Sequence, residues 1–495
     1  MTVLMSRSLF LAMALSIASG ADLKTRIDEL VSKTSAVAKA FAGFHVVSLT
    51  NGRILYEHNQ DRLFTPASNM KLFTTALALA KLGPQYRFKT QIGGDTPLDA
   101  DGTLVGDLVF VGGGDPTLSG REYPYQYHPG SQAGASYSFR AVEELADQLV
   151  ARGLKRVDGD VVGDDRHYVW EPRVEGWSNG DALWEYGAPV SALILNDNSF
   201  AVTIRPSAHA GELAHIALTP SFEYFSIDNR VRTETGGVRK VGMDRGTNGR
   251  QLHIAGVIPV GDGGMTEQLA VDDPALYAAE VLRDALLRRG IAVHGKAIAR
   301  HRFSDDGTDA PPAPRVVLAE KTSPPLSEIL QVVDKVSQNL HAEVMLREVG
   351  LVAGKSGSRE GGLAEMQEFL TAVGIAKDAY RFADGSGLSR STLVSPDAIT
   401  KLLAYMYKSG NRELWMSLLP VAGVDGTLAT RFQNHPEAHA IRAKTGSLSH
   451  VRAMSGYAET PRYGPVAFSF LVNNFDAPNV EISHFLDQIG VALLE

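Results

Sequence analysis

Three short groups of polar residues stand in order along the chain: Ser68-Asn69-Met70-Lys71, Ser337-Gln338-Asn339 and Lys444-Thr445-Gly446. Ser68 and Lys71 are three apart at the start of a predicted helix, which puts both side chains on one face. A serine hydroxyl is a weak nucleophile until a neighbouring base takes its proton. Lysine can be that base only if burial or a second cation destabilises its ammonium form and brings its pKa to about 7–8. Lys444 is the candidate second cation. Ser337 and Asn339, two apart in an extended connection between helices, can face one cleft. Ser337 would then relay a proton between Lys71 and a leaving amine, while Asn339 holds a substrate amide. Lys444-Thr445-Gly446 closes an apolar segment, where the lysine and the threonine hydroxyl can bind a carboxylate. Gly446 lets a substrate backbone lie alongside like an added strand. The Ser447 N–H and the N–H groups at the helix start are candidate oxyanion donors. Together these groups are fitted to serine acyl transfer at a peptide or β-lactam carbonyl.

The order carries more weight than any one group. A chain of this length holds about one or two S-x-x-K strings by chance. Ser409-Gly410-Asn411 also fits S-x-N, but it ends a predicted helix, with Gly410 as the expected cap. Lys321-Thr322-Ser323 is expected to be a loop, because it runs into Pro324-Pro325. His435 and His439 have the separation of a helical zinc pair, yet Pro436 lies between them and Glu437 is misplaced for such a site. Gly112-Gly113-Gly114-Asp115 follows a strand but lacks the dinucleotide and P-loop patterns. Neither a metal nor a cofactor is expected.

Composition bounds the rest. With 495 residues, two or three domains are expected, and 44% hydrophobic with 21% charged residues is an ordinary globular balance. A formal charge of -8 supplies no basic excess for nucleic acid. There is no cysteine, which excludes disulfides, thiol nucleophiles and thiolate metal sites. Arg7, the apolar run Leu9 to Ile17 and the small residues Ala18 to Ala21 read as a secretory signal over residues 1–21, too short to span a bilayer comfortably. No second long apolar stretch follows, so no stable membrane span is expected.

The elements that must position the polar groups are predicted as follows. A helix over Leu23 to Ala40 precedes a hairpin of Phe44 to Leu49 and Ile54 to Tyr56, turned at Asn51-Gly52. The helix bearing Ser68 begins near Thr65-Pro66, with Thr65 as N-cap, and stops at Gly83-Pro84. From 94 to 267 short apolar segments alternate with Gly, Asp and Asn turns, read as one or two inserted β-rich modules, interrupted by a helix over Ala141 to Arg152. Helical periodicity returns at Pro274 to Arg289, followed by a proline-rich loop over Ser304 to Pro314. Two helices flank Ser337 to Asn339, and others cover Ala364 to Val373, Pro396 to Lys408 and Val480 to Leu494. Ile441 to Gly446, Ala453 to Ala458 and Val466 to Val472 alternate like antiparallel strands. One sheet built from both ends of the chain is expected, with residues 22–93 and 268–495 forming the domain that carries the polar groups.

Further segments make the chain recognisable: Gly113 to Leu118, Ala188 to Leu193 with Asn196 and Asn198, and Asp384-Gly385-Ser386-Gly387-Leu388-Ser389-Arg390. With the three groups and the long separation of Ser68 from Ser337, they resemble the low-molecular-mass penicillin-binding proteins of the D-alanyl-D-alanine carboxypeptidase/endopeptidase type, the penicillin-binding protein 4 family. The resemblance covers most of the chain after residue 21. It implies an α/β (α+β) fold, a DD-peptidase/β-lactamase-like domain with an antiparallel sheet flanked by helices, plus β-rich inserted domains. It implies Ser68 as nucleophile, Lys71 as base, Ser337 as relay, Asn339 as amide ligand, Lys444 as electrostatic partner and Thr445 as carboxylate ligand. Arg390 stands where relatives meet the free carboxylate of a diaminopimelate side chain, whereas the match is loose around Glu171 to Trp177, where some place its acidic partner. Gln338 replaces the aspartate common in the middle group. Peptidoglycan stem peptides are the implied substrates, β-lactam antibiotics the implied inhibitors, and the periplasm or cell-wall exterior the implied location. A serine β-lactamase is the enzymatic alternative, opposed by the long insertion. A non-catalytic peptidoglycan-binding scaffold is the other, opposed by three intact motifs.

Overall fold

In the computed structural model, residues 22–129, 137–246, 249–306 and 314–495 are described. The expected signal segment, 1–21, lies outside them, as do residues 307–313 of the expected proline-rich loop.

Alternation of apolar side chains sorts the central sheet into two faces. Its five strands are antiparallel, in the order Ile441–Leu448, Val451–Thr460, Gly464–Asn473, Phe41–Ser48 and Ile54–His58. Both ends of the chain therefore contribute, as the pattern predicted. On one face Phe44, Val46, Ala443, Met454, Phe468 and Phe470 pack with the helices Leu23–Lys33 and Asn479–Leu494. On the other, Ala453, Tyr457, Ala467 and Leu471 join a core with Met70–Lys81, Asn339–Val352, Arg359–Val373 and Pro396–Lys408. The strand Ile441–Leu448 is the sheet's edge. It places Ile441 and Ala443 in the first core, so Lys444 and Gly446 turn to the second face, while Thr445 and Ser447 share the first.

Among the described residues the middle of the chain builds four further sheets around one shared apolar cluster, among them a mixed five-stranded sheet. Two strands of that sheet lie beyond 268, where the sequence pattern placed the return to the other region. These strands, Ala297–Arg302 and Val316–Thr322, pair with Val161–Val169 and Lys89–Gly94, and the helix Pro274–Arg288 packs on the sheet. As a packing unit the middle region therefore runs from about 89 to 322. Lys321 and Thr322 end a strand rather than forming the expected loop, with Lys321 Nζ 2.9 Å from Glu144 Oε2. At the other decoy the cap of Pro396–Lys408 is Ser409, not Gly410, and Ser409 Oγ donates to the Met406 carbonyl. Among the described residues no helix is long and apolar enough to cross a membrane, and no cluster of His, Asp and Glu is placed to hold a metal.

Candidate active site

Ser68 sits in a single 3-10 turn, Ala67–Asn69, ahead of the helix Met70–Lys81. Thr65 is not the N-cap that its type suggested. Its backbone N–H instead donates to Asn473 Oδ1 at 2.8 Å, and its carbonyl accepts from Asn473 Nδ2 at 3.1 Å. Asn69 Nδ2 reaches Ser455 Oγ at 2.6 Å. Both contacts pin the turn to the sheet, and they hold Ala67 at φ 47°, a left-handed conformation unfavourable for alanine. Gly446 on the edge strand lies against the Pro66 carbonyl, where a side chain would collide.

Helical spacing puts Lys71 beside Ser68, and its Nζ lies 2.9 Å from Ser68 Oγ. Nζ also donates to Asn339 Oδ1 at 2.6 Å and to the Ser386 carbonyl at 2.8 Å. A neutral amine has two N–H bonds and one lone pair. The two carbonyl oxygens take the N–H bonds, so the lone pair is left for the Ser68 hydroxyl. Burial, then the charge of Lys444, pushes the Lys71 pKa well below its ordinary value, against opposing pulls from Asp384, Glu343 and Asp334. Lys444 is also fully buried, and burial lowers it to about 8 while Asp334 opposes the shift. The shifts thus favour the free amine at Lys71 beside the charged Lys444.

Ser337 is brought into place by a π-turn, Val332–Val336, after which it adopts the left-handed conformation at φ 68°. Its Oγ accepts from Lys444 Nζ at 2.8 Å. Asn339 opens the next helix, with Oδ1 on Lys71 and Nδ2 donating to the Tyr186 carbonyl at 2.8 Å. The amide expected to face a substrate thus bridges Lys71 to the middle region. Four positions on, Glu343 Oε1 accepts from the Gly385 and Ser386 N–H groups, each at 2.9 Å, and fixes the carbonyl that Lys71 uses. Asp334 is buried in the π-turn, beside the Thr75 hydroxyl and close to both lysines. Burial raises its pKa to about 7, against the pull of Lys444 and Lys71.

Ser68, Ser337, Asn339, Thr445, Ser447 and Arg390 line one cleft of about 850 Å³, with Lys71 and Lys444 beneath its floor. Thr445 Oγ1 donates to Thr427 Oγ1 at 2.7 Å, and exposed Arg390 donates to the Ser449 carbonyl at 3.1 Å. The middle region supplies part of the wall through Gly176, Ser178, Asp181 and Tyr186. Of the site residues expected from the sequence, Gly446 alone does not line or underlie this cleft; it packs against the Pro66 carbonyl behind Ser68. Sequence reasoning gave no role to Tyr186, Ser386, Asp334 or Thr427. Ser386 lay within a segment already noted, and Asp334 was signalled only by its place three residues before Ser337.

The chain matches the family profile described as D-Ala-D-Ala carboxypeptidase 3 (S13) over residues 23–489. It is 33% identical over 480 residues to a D-alanyl-D-alanine carboxypeptidase of Actinomadura sp. (strain R39), covering 94% of this chain and 84% of the relative. It is 26% identical over 443 residues to the D-alanyl-D-alanine carboxypeptidase DacB of Haemophilus influenzae, covering 89% and 86%. The crystal structure of penicillin binding protein 4 (dacB) from H. influenzae superposes with a TM-score of 0.78 at 25% identity, over 94% of this chain and 97% of that one. With the profile spanning nearly its whole length, the chain belongs to the D-Ala-D-Ala carboxypeptidase 3 (S13) family.

Proposed function

We propose that this protein is a serine D-alanyl-D-alanine peptidase that acts on peptidoglycan stem peptides through a Ser68 acyl-enzyme and is trapped by penicillin. The observation that carries this reading is the 2.9 Å approach of a buried, deprotonation-prone Lys71 to the Ser68 hydroxyl. Lys71 takes the hydroxyl proton as Ser68 Oγ attacks the carbonyl next to the terminal D-alanine. The Ser68 and Ser447 backbone N–H groups stabilise the oxyanion, a contribution of about 3–4 kcal/mol when well aimed. Ser337, polarised by Lys444, carries the proton to the departing amine. Thr445 and Ser447 hold the carboxylate beside that amine. Water then resolves the ester with Lys71 again acting as base. Hydrolysis of a terminal D-alanine and of a D-alanyl cross-link use the same groups. Arg390, at the cleft's exposed rim, meets an acidic stem-peptide side chain. Such substrates place the enzyme outside the inner membrane, in keeping with the signal-like residues 1–21.

A fluorescent penicillin should label the purified protein covalently at a one-to-one ratio, and Ser68→Ala should abolish labelling while the melting temperature is kept. Persistent labelling in that variant would place the nucleophile elsewhere. Release of terminal D-alanine from a monomeric muropeptide, assayed beside cleavage of a cross-linked dimer, measures the preference between the two bonds.

A further inference from the structure

The cleft has an uneven charge. Arg390, Arg431 and Arg452 line it, against Asp181. Arg431 is neutralised by Asp487, with Nη2 2.5 Å from Oδ1. Arg452 has no carboxylate within ion-pairing distance among the described residues. Its Nη1 donates only to backbone, to the Leu448 carbonyl at 3.1 Å and the Val451 carbonyl at 2.8 Å, and its Nε–H is buried without an acceptor. Burial, reinforced by Arg431, pulls the Arg452 pKa down. A half-buried guanidinium left without a counter-ion costs free energy that the fold alone does not recover.

Its position in the sheet is specific. Arg452 is the register partner of Ser447 on the neighbouring strand, and Thr445 is the partner of Met454. Directly opposed residues project from the same face, so Thr445, Ser447 and Arg452 lie together on the face away from Lys444. A peptide docked along the edge strand would straddle both faces. Its reacting carbonyl would lie over Ser68, and its carboxylate would turn toward the hydroxyls of Thr445 and Ser447. Hydroxyls orient a carboxylate but do not balance its charge. The single cation shared with the reaction, Lys444, points to the opposite face and is engaged by Ser337.

We propose that Arg452 is a specificity-determining residue that supplies the charge of the carboxylate subsite formed by the Thr445 and Ser447 hydroxyls, so that the enzyme selects ligands with a free carboxylate beside the scissile bond. This deepens the reading of the cleft as a D-alanyl-D-alanine peptidase site and rests on it. The guanidinium swings from the hairpin carbonyls to the incoming carboxylate, and no bond is made or broken by it.

The test compares second-order acylation by benzylpenicillin with that by its methyl ester, in the full chain and in Arg452→Ala, Arg452→Gln and Arg452→Lys. Wild type should prefer the acid. Arg452→Ala and Arg452→Gln should cut that preference by about 10- to 100-fold, the loss expected for one charge-assisted hydrogen bond, by slowing the acid and leaving the ester within about twofold. Arg452→Lys should keep part of the preference. Arg452→Gln retains a donor for the hairpin carbonyls, so an unchanged preference in it would show that Arg452 only braces the hairpin and would overturn the proposal. Equal slowing of acid and ester in all three variants would overturn it too. A wild-type protein that neither penicillin nor its ester acylates would instead remove the peptidase reading itself.

Discussion

At the scale of residues, Lys71 and Lys444 are far apart in sequence and electrically adjacent. The charge of Lys444 makes the Lys71 ammonium harder to form, and Asp334 works against the downward shift of both lysines. The two influences on Lys71 can be separated by their sign. Lys444→Met removes the second cation, so the Lys71 pKa rises and the acid limb of the acylation profile moves to higher pH, with a rate loss of at least about 100-fold as the relay through Ser337 fails. Asp334→Asn removes a carboxylate that favours the protonated lysines, so the acid limb moves to lower pH. That effect should be strongest near and above pH 7, because Asp334 ionises at about 7. Stopped-flow labelling with a fluorescent penicillin from about pH 5 to 10 measures both, and shifts of the same sign would refute this electrostatic assignment. The pairing of Ser68 with Lys71 was legible because an i, i+3 spacing at a helix start is a local relation. The Ser386 and Tyr186 carbonyls that orient Lys71 and Asn339 were not. Every residue type carries a carbonyl, so nothing in the sequence marks the ones that are used.

At the scale of elements, the site depends on two connections forced out of ordinary backbone geometry. Ala67 is left-handed just before Ser68, and Ser337 is left-handed after the π-turn. Glycine is what allows the neighbouring segment to approach the first of these. Gly387 has φ 81°, and a side chain there would overlap the Ala67 carbonyl. Gly387→Ala should therefore destabilise the protein by about 2–3 kcal/mol through strain and overpacking. It should also slow acylation at temperatures where the protein remains folded, because the Ala67 carbonyl must move and Ser68 moves with it. Gly410→Ala is the control, since Gly410 has open space around it and no positive φ. Thermal melts and acylation rates of the two variants decide the point, and equal behaviour would show that the approach to Ala67 is dispensable. The strands and long helices were legible from alternation and 3.6-residue periodicity. Thr65 was misread because its residue type favours a cap, while Asn473 on a distant strand claims its backbone instead. A conformation imposed by tertiary contact leaves little local trace.

At the scale of the whole molecule, the middle region is tied into the site by a buried charge cluster. The sequence reading returned to the site-bearing half at 268 because helical periodicity resumed there. Periodicity announces a helix but not the surface it packs on, and Pro274–Arg288 lies on the middle region's sheet. The cluster joins the two parts: Asp197 of the middle region accepts from Arg121 Nε at 2.8 Å and from His341 Nε2 at 2.9 Å. His341 stands two residues after Asn339 on the same helix. Asp197 is 1% exposed, and Arg121 and His341 hold its carboxyl far below the usual range despite burial. A carboxylate depressed in the folded state stabilises the fold above its unfolded pKa of about 4, and that contribution is lost as pH falls further toward the folded value. Asp197→Ala leaves the Arg121 guanidinium buried and uncompensated, so it should cost about 3–5 kcal/mol at pH 7. Its stability should then fall less steeply than that of wild type between about pH 5 and 3, because the titrating group is gone. Urea unfolding across that range measures both quantities. Parallel pH dependences would mean that the cluster contributes no proton-linked stability. A full-size loss at pH 7 with penicillin acylation unchanged would mean that the joint holds the middle region without positioning Asn339.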